Sequence, residues 1–333
     1  MKIANRANTN RARTPGPRSD QWFGFALVLP ALIVLLVVIA LPILKGIYVS
    51  FFSYKLKDIS QPLFDFSSAN IQKILAGEEG LGALSNLKWN DLANYTSLFK
   101  RGEILDYFGN TILFVLLTVS IQLVLGMIIA LLLNSKLRAT GFFRGVMLIP
   151  WTIPSVVVAI LWRWMLHQDF GVINYLAYVL GITEQMNLSW QVSNSLAMAS
   201  VVIASVWRQL PYMMVMLLAA LQSVDSSLEE AAHIDGANRW QSFSHVVLPS
   251  IRPVLITSTW IAVMNNFQSY TIIANMNGTG AATMTLSIAA YQEAFKSYNF
   301  GKGAAIGVMW LVLLFVITLI SNRASDRATN DYQ

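Results

Sequence analysis

Six stretches of the chain are predominantly apolar and long enough to cross a bilayer: 24–44, 108–133, 146–166, 196–221, 254–274 and 303–320. A hydrocarbon core about 30 Å thick takes roughly 20 apolar residues of helix, so each predicts one transmembrane helix. None of the six contains Asp or Glu. The first stretch is longer than a signal-peptide core and no small-x-small pattern follows it, so it predicts an uncleaved first span. The expected fold class is an all-α membrane protein with six transmembrane helices.

The spans differ in their polar content. Residues 24–44 and 303–320 are almost wholly aliphatic or small, the character of helices that face lipid. The 196–221 span carries Arg208, Gln209 and Tyr212, and the 254–274 span carries Asn265, Asn266, Gln268, Ser269 and Tyr270. Polar side chains at that depth need protein or water as partners, so these two helices are expected to line an interior. Pro150, Pro154 and Pro211 remove backbone donors inside spans, which a helix tolerates best beside a neighbour or a wet cavity.

Charge adds orientation. Lys2, Arg6, Arg11, Arg13 and Arg18 precede the first span, Lys136, Arg138 and Arg144 fall in the 134–145 loop, and Arg323 and Arg327 lie in the tail. Short basic segments stay cytoplasmic, so both termini are expected inside. The expected organisation is a cytoplasmic arm (1–22), a first transmembrane helix (23–44), an extracytoplasmic segment (45–107), a five-helix core (108–321) containing a cytoplasmic loop (222–253), and a cytoplasmic tail (322–333). In the 45–107 segment Phe64, Phe66, Leu81, Trp89, Tyr95 and Phe99 are enough apolar surface for a small cap.

Composition then removes function classes. The 333 residues are 55% hydrophobic and 12% charged, against roughly 25% charged in a soluble domain. The formal charge of +6 sits largely on membrane flanks, so nucleic acid is not an expected partner and membrane lipid is. Cysteine is absent, which excludes disulfides and thiol chemistry. His167, His233 and His245 share no metal-ligand spacing, and Gly301-Lys302-Gly303 lacks the upstream glycine and following hydroxyl of a phosphate loop. No metal site, catalytic residue or nucleotide cofactor is expected in this chain.

The 222–253 loop has local order of its own. Ser226 or Ser227 with Glu229 or Glu230 three residues on predicts a capped helix, which Gly236 stops. Asn238 with Gln241 repeats the capping pattern, and Pro249 is expected to end the second helix. Leu228, Ala231, Ala232 and Asp235 form a stripe of mostly small residues that another backbone can approach, while Trp240, Phe243 and Val247 form a larger apolar stripe. These features fit both a docking elbow and two helices lying on the membrane surface.

Glu230-Ala231-Ala232, Asp235-Gly236-Ala237, Phe243, Leu248-Pro249 and Pro253 together resemble the EAA loop of binding-protein-dependent ABC importer permeases. Phe170-Gly171-Val172-Ile173-Asn174, Gly181, Trp207-Arg208-Gln209-Leu210-Pro211 and Phe300-Gly301 are similar to landmarks of the sugar-permease group related to the maltose transporter's membrane subunits, over about 105–320. Asn277-Gly278-Thr279-Gly280 departs from the Gly-Gly-Pro pattern of many members, and 45–107 has no landmark, which leaves the solute open. The resemblance implies a type I ABC importer permease fold with a coupling-helix elbow, in a bacterial inner membrane. It implies a second homologous permease subunit or a second copy of this chain, an ABC ATPase dimer that binds ATP and Mg, and an extracytoplasmic solute-binding protein. Glu230, Ala231, Ala232, Asp235, Gly236 and Ala237 are then the residues expected to couple to the ATPase.

Asn265, Asn266, Ser269, Gln209 and Tyr212 are the candidate solute contacts, because neutral donors and acceptors match a hydroxylated solute such as a sugar or oligosaccharide. The same side chains can instead serve as hydrogen-bonding glue between helices, and Arg208 fits either a gate or a structural support. The rival function, an ion-coupled secondary transporter of a neutral solute, ordinarily needs intramembrane carboxylates, which these spans lack.

Overall fold

The computed structural model describes residues 18–58, 68–76, 87–135, 139–184, 187–190, 193–277 and 280–330. Lys2, Arg6, Arg11, Arg13, Lys136, Arg138, Phe64, Phe66 and Leu81, which carried part of the orientation and cap readings, lie outside them. Contacts divide the chain into two units, Met1–Tyr48 and Val49–Gln333.

The first unit is helical: α1 (Arg18–Leu35) passes through one π-helical turn, Leu36–Ala40, into α2 (Leu41–Ser50), which ends just inside the second unit. The apolar helix runs from Gly24 to Ser50, longer than the 24–44 stretch. Every side chain described from Gly24 to Ile39 is exposed. A helix apolar on all faces and unburied has lipid as its solvent.

The second unit begins with β1 (Phe52–Ser53), followed by α3 (Ser68–Leu75), β2 (Lys88–Trp89) and α4 (Ala93–Lys100). β1 and β2 pair antiparallel, Phe52 opposite Trp89. The Asn94 carboxamide donates to Ser50 O at 2.8 Å and Phe52 O at 3.0 Å. Gly301 N donates to Tyr54 O at 3.1 Å, and a Cβ on Gly301 would strike the Phe52 carbonyl and the Asn94 amide. The Phe300-Gly301 landmark is thus a place where two backbones meet without room for a side chain.

Next come α5 (Glu103–Asn134), α6 (Thr140–Thr152), α7 (Ser155–Met165), α8 (Val172–Val179) and α9 (Asn194–Gln222). α5 and α9 form the main core, where Phe114, Val115 and Val119 pack with Val201, Val202, Met213 and Leu217. A Cβ on Gly126 would sit 2.7 Å from Met213 Cγ, so this glycine lets α9 close on α5. In lipid, such close packing rather than release of water holds helices together.

The third span expected over 146–166 is bent rather than straight: α6 and α7 meet at 96°. Ile153 is extended (φ −76°, ψ 131°) ahead of Pro154, because proline bars the helical conformation from the residue before it. Among the described residues five helices are long and apolar enough to span, or six if this bent pair counts as one.

The chain continues through α10 (Ser226–Ile234), α11 (Arg239–Ser242), a π-helical turn Phe243–Val247 and α12 (Leu248–Phe267). Contrary to the expectation from sequence, Pro249 does not end the second elbow helix. It lies inside one helical run, Arg239–Phe267, directly after the π-helical turn Phe243–Val247. The expected fifth span to 274 stops at Phe267, and α13 (Thr271–Met276) follows a break at Gln268–Tyr270.

The segment between α13 and the last helix contains α14 (Leu286–Tyr291), with Leu286, Ile288 and Ala289 buried, and a π-helical turn Gln292–Lys296. It packs on α15 (Phe300–Asn330), the last helix.

Candidate functional site: a polar cavity and a helical elbow

A cavity of about 410 Å³ opens where α6, α7, α9, α12 and α13 converge. Each element reaches it through a local irregularity. The Pro154 bend brings Trp151 and Ser155 to its wall, α9 contributes Arg208, Gln209 and Tyr212, and the break after α12 contributes Asn265, Gln268, Ser269, Tyr270 and Thr271. Backbone carbonyls freed at such breaks are tolerated at membrane depth where side chains or water satisfy them. Here Arg208 Nε donates to Ile153 O at 3.3 Å, so its charge supports the bend as well as facing the cavity. Trp151 lies 6.3 Å from Tyr212, ring to ring.

Four of the five solute-contact candidates, Gln209, Tyr212, Asn265 and Ser269, share this cavity. Asn266 does not line it. Successive helical residues are about 100° apart, so Asn265 is exposed while Asn266 turns into the core, 1% exposed. Its carboxamide is consumed internally, with Nδ2 donating to Ala262 O at 2.8 Å and Oδ1 accepting from Gln209 Nε2 at 3.1 Å. Ser269 is fixed by its backbone, since its carbonyl accepts from Ser287 Oγ at 3.0 Å. Sequence reasoning missed Trp151 and Ser155, for which the Ile153-Pro154 pair was the available signal.

The elbow is a separate feature. Asp225, not Ser226 or Ser227, caps α10: Ser227 N donates to Asp225 Oδ1 at 2.9 Å, which holds the Asp225 carboxyl below its ordinary pKa. Gly236 has φ +83°, and Gly236 N and Ala237 N donate back to His233 O (3.1 Å) and Ala232 O (2.9 Å), the paired bonds of a Schellman stop. The expected capping box forms, with Asn238 N to Gln241 Oε1 at 2.8 Å and Gln241 N to Asn238 Oδ1 at 2.9 Å. Val247 is buried and anchors the second helix, whereas Trp240 is 73% exposed.

Glu230, Ala231, Asp235 and Gly236 are exposed, and Ala232, Asp235, Gly236 and Ala237 line a concavity of about 380 Å³ with Gln241 and His245. Ile234, 87% exposed at the tip of α10, is an apolar side chain that no packing inside the chain explains.

A third landmark proves architectural. Asn174, 1% exposed, donates to Gln168 O and Leu188 O, each at 3.1 Å, and accepts from Trp190 Nε1 at 2.6 Å, closing the loop around α8.

Known proteins resemble this chain in sequence and in fold. It is 36% identical to the probable ABC transporter permease protein y4oQ of Sinorhizobium fredii, over 68% of this chain and 72% of that one. It is 29% identical to the trehalose/maltose transport system permease protein MalF of Thermococcus litoralis (89% and 91%) and 28% identical to the inner membrane ABC transporter permease protein YcjO of Escherichia coli (92% and 95%). The solved structure of a bacterial ABC transporter involved in alginate import superposes with a TM-score of 0.66 at 20% identity, over 93% of this chain and 96% of that one, a likeness of fold. The signature of binding-protein-dependent transport system inner membrane components matches residues 122–330, and the chain belongs to that family of multi-pass ABC importer permeases.

Proposed function

We propose that this permease carries a neutral, hydroxyl-rich solute, a sugar or oligosaccharide, through the cavity bounded by α6, α7, α9, α12 and α13. The observation that carries the reading is the chemistry of the wall. Gln209, Tyr212, Asn265, Gln268 and Ser269 offer uncharged donors and acceptors, aromatic rings stand beside them, and among the described residues no carboxylate lines the cavity. Hydroxyls pair with such groups at ordinary hydrogen-bond geometry, while sugar faces lie against rings. Arg208 spends one donor on Ile153 O and keeps others for solute oxygens. The Thermococcus relative belongs to a trehalose/maltose transport system, which supports the same solute class.

In this reading the chain is half of the translocation path. A second permease subunit, homologous or identical, completes it, and an extracytoplasmic binding protein delivers the solute. An ABC ATPase dimer holds ATP and Mg and receives the elbow, through Glu230, Ala231, Ala232, Asp235, Gly236 and Ala237. Both termini are cytoplasmic, which puts the elbow on the ATPase side. The exposed Ile234 and the concavity beside Gly236 support a docked elbow over one free in water.

The test is uptake by vesicles holding the assembled transporter, with its binding protein added outside. Uptake of a mono- or oligosaccharide that needs ATP and the binding protein, and withstands a protonophore, is the expected result. Uptake that survives without ATP, or is confined to charged solutes, overturns the reading.

A further inference from the structure

A strip of aromatic rings leaves the cavity along the segment between α13 and α15. Tyr270, in the cavity wall, lies 4.9 Å from Tyr291, centroid to centroid, and Tyr291 lies 5.1 Å from Phe295. The three rings are tilted by 48° and 35° in succession, forming one continuous curved surface. Exposure rises along it, from half-buried Tyr270 to 37% at Tyr291 and 59% at Phe295.

The backbone beneath these rings is clamped. A Cβ on Gly303 of α15 would lie 2.8 Å from Ala294 Cβ and 3.1 Å from Ala290 O, so glycine there brings the two segments into contact. Lys302 Nζ binds Glu293 Oε1 at 2.7 Å and Glu103 Oε2 at 3.3 Å, tying the same segment to α15 and α5. Ala290, Glu293 and Ala294 thus face the protein while Tyr291 and Phe295, four positions apart, are exposed. A π-helical turn, Gln292–Lys296, lies in the same segment, and single π turns of this kind recur at functional sites.

We infer that Tyr270, Tyr291 and Phe295 form an extended carbohydrate platform, on which the second and later sugar units of an oligosaccharide lie while one unit occupies the cavity. The inference rests on the carbohydrate reading of the cavity and narrows it to chains of two or more units. Continuity with the cavity selects this occupant: the strip starts on a ring that already lines the polar site, and its first two rings carry hydroxyls that can bond a sugar edge.

The chain has no cysteine, so Tyr291→Cys or Phe295→Cys places a single thiol in this subunit. In the complete transporter both thiols are expected to react with a charged, membrane-impermeant thiosulfonate, read as the mass of this subunit. Unreactive thiols place the strip against lipid or against the second permease subunit and overturn the inference without reference to any sugar. The second arm is uptake of mono-, di- and trisaccharides of glucose, galactose, mannose and xylose. Tyr291→Ala and Phe295→Ala are expected to lower uptake by roughly 3- to 10-fold more for trisaccharides than for monosaccharides. Phe295→Trp and Tyr291→Phe, which keep a ring, restore the longer solutes, and copurification with the partner subunits shows that the variants assemble. Losses equal at every length, or absent, in a transporter that takes up sugars overturn this inference alone. No uptake of any member by the wild-type complex overturns the carbohydrate reading beneath it.

Discussion

Gln209 on α9 donates through Nε2 to Asn266 Oδ1 on α12 at 3.1 Å, behind a cavity that Gln209 itself lines. One side chain therefore belongs to both layers: Asn266 orients Gln209, and Gln209 faces the cavity. Asn266 is a positioning residue, while its neighbour Asn265 has no such bond and stands exposed at the cavity.

Asn265→Leu and Asn266→Leu are expected to fail differently. Asn265→Leu removes a polar partner from the solute, costing about 1–3 kcal/mol of binding, roughly 5- to 150-fold in the solute concentration for half-maximal stimulation of ATPase activity, with little change in thermal stability. Asn266→Leu leaves Gln209 without its partner and should lower stability by about 1–3 kcal/mol, with a detectable fall in the melting temperature of the purified complex. Identical profiles for the two variants would contradict the division between wall and support.

Gly236→Pro should abolish transport while the protein still inserts, because proline holds φ near −65° where the Schellman stop needs +83°. No atom lies within 4 Å of a Cβ at this position, so Gly236→Ala tests the backbone alone and is expected to weaken coupling less. Glu230→Lys reverses an exposed charge on the proposed docking face and should also uncouple ATP hydrolysis from uptake. Normal ATP-dependent uptake by Gly236→Pro or Glu230→Lys at wild-type expression would remove the coupling assignment.

The start of α10 should loosen in acid. The Asp225 carboxyl is held below its ordinary pKa by hydrogen bonds from Ser227, so its contribution is present above the carboxylate's unfolded value and lost as pH falls through the lower folded value. Protection of the Ser227 and Leu228 amides from hydrogen exchange, taken relative to their intrinsic exchange rates, should fall over that acid range and, in Asp225→Asn, become independent of it. An unchanged pH profile in Asp225→Asn would show that the cap is not the cause.

Gly301→Ala should destabilise the junction of β1, α4 and α15, since the added methyl meets the Phe52 carbonyl and the Asn94 amide. Overpacking against backbone costs typically about 1–3 kcal/mol. Thermal melting of the purified complex checks it. Gly307→Ala on the same helix, where a Cβ meets nothing within 4 Å, should melt like the wild type.

The spans and the elbow were readable because their signals are local. An apolar run of bilayer length, a cap three residues from its partner and a glycine at a helix stop depend on neighbours within one or two turns. The Asn238–Gln241 box and the left-handed Gly236 appear where the sequence indicated. Apolar content alone does not report a bend inside a span, and so the 146–166 stretch read as straight although α6 and α7 meet at 96° beside Pro154.

By itself the sequence determined a helical membrane protein, the polar residues of α9 and α12 as an interior and the structured loop between them, because hydropathy and capping are properties of the local chain. Tertiary structure alone decided which of those polar residues share a cavity. Helix rotation and the break at Gln268 turn Asn265 outward and Asn266 inward, and the contacts of α15 with the segment before it expose Tyr291 and Phe295. Those choices depend on the side chains of distant helices, so no spacing along the chain encodes them.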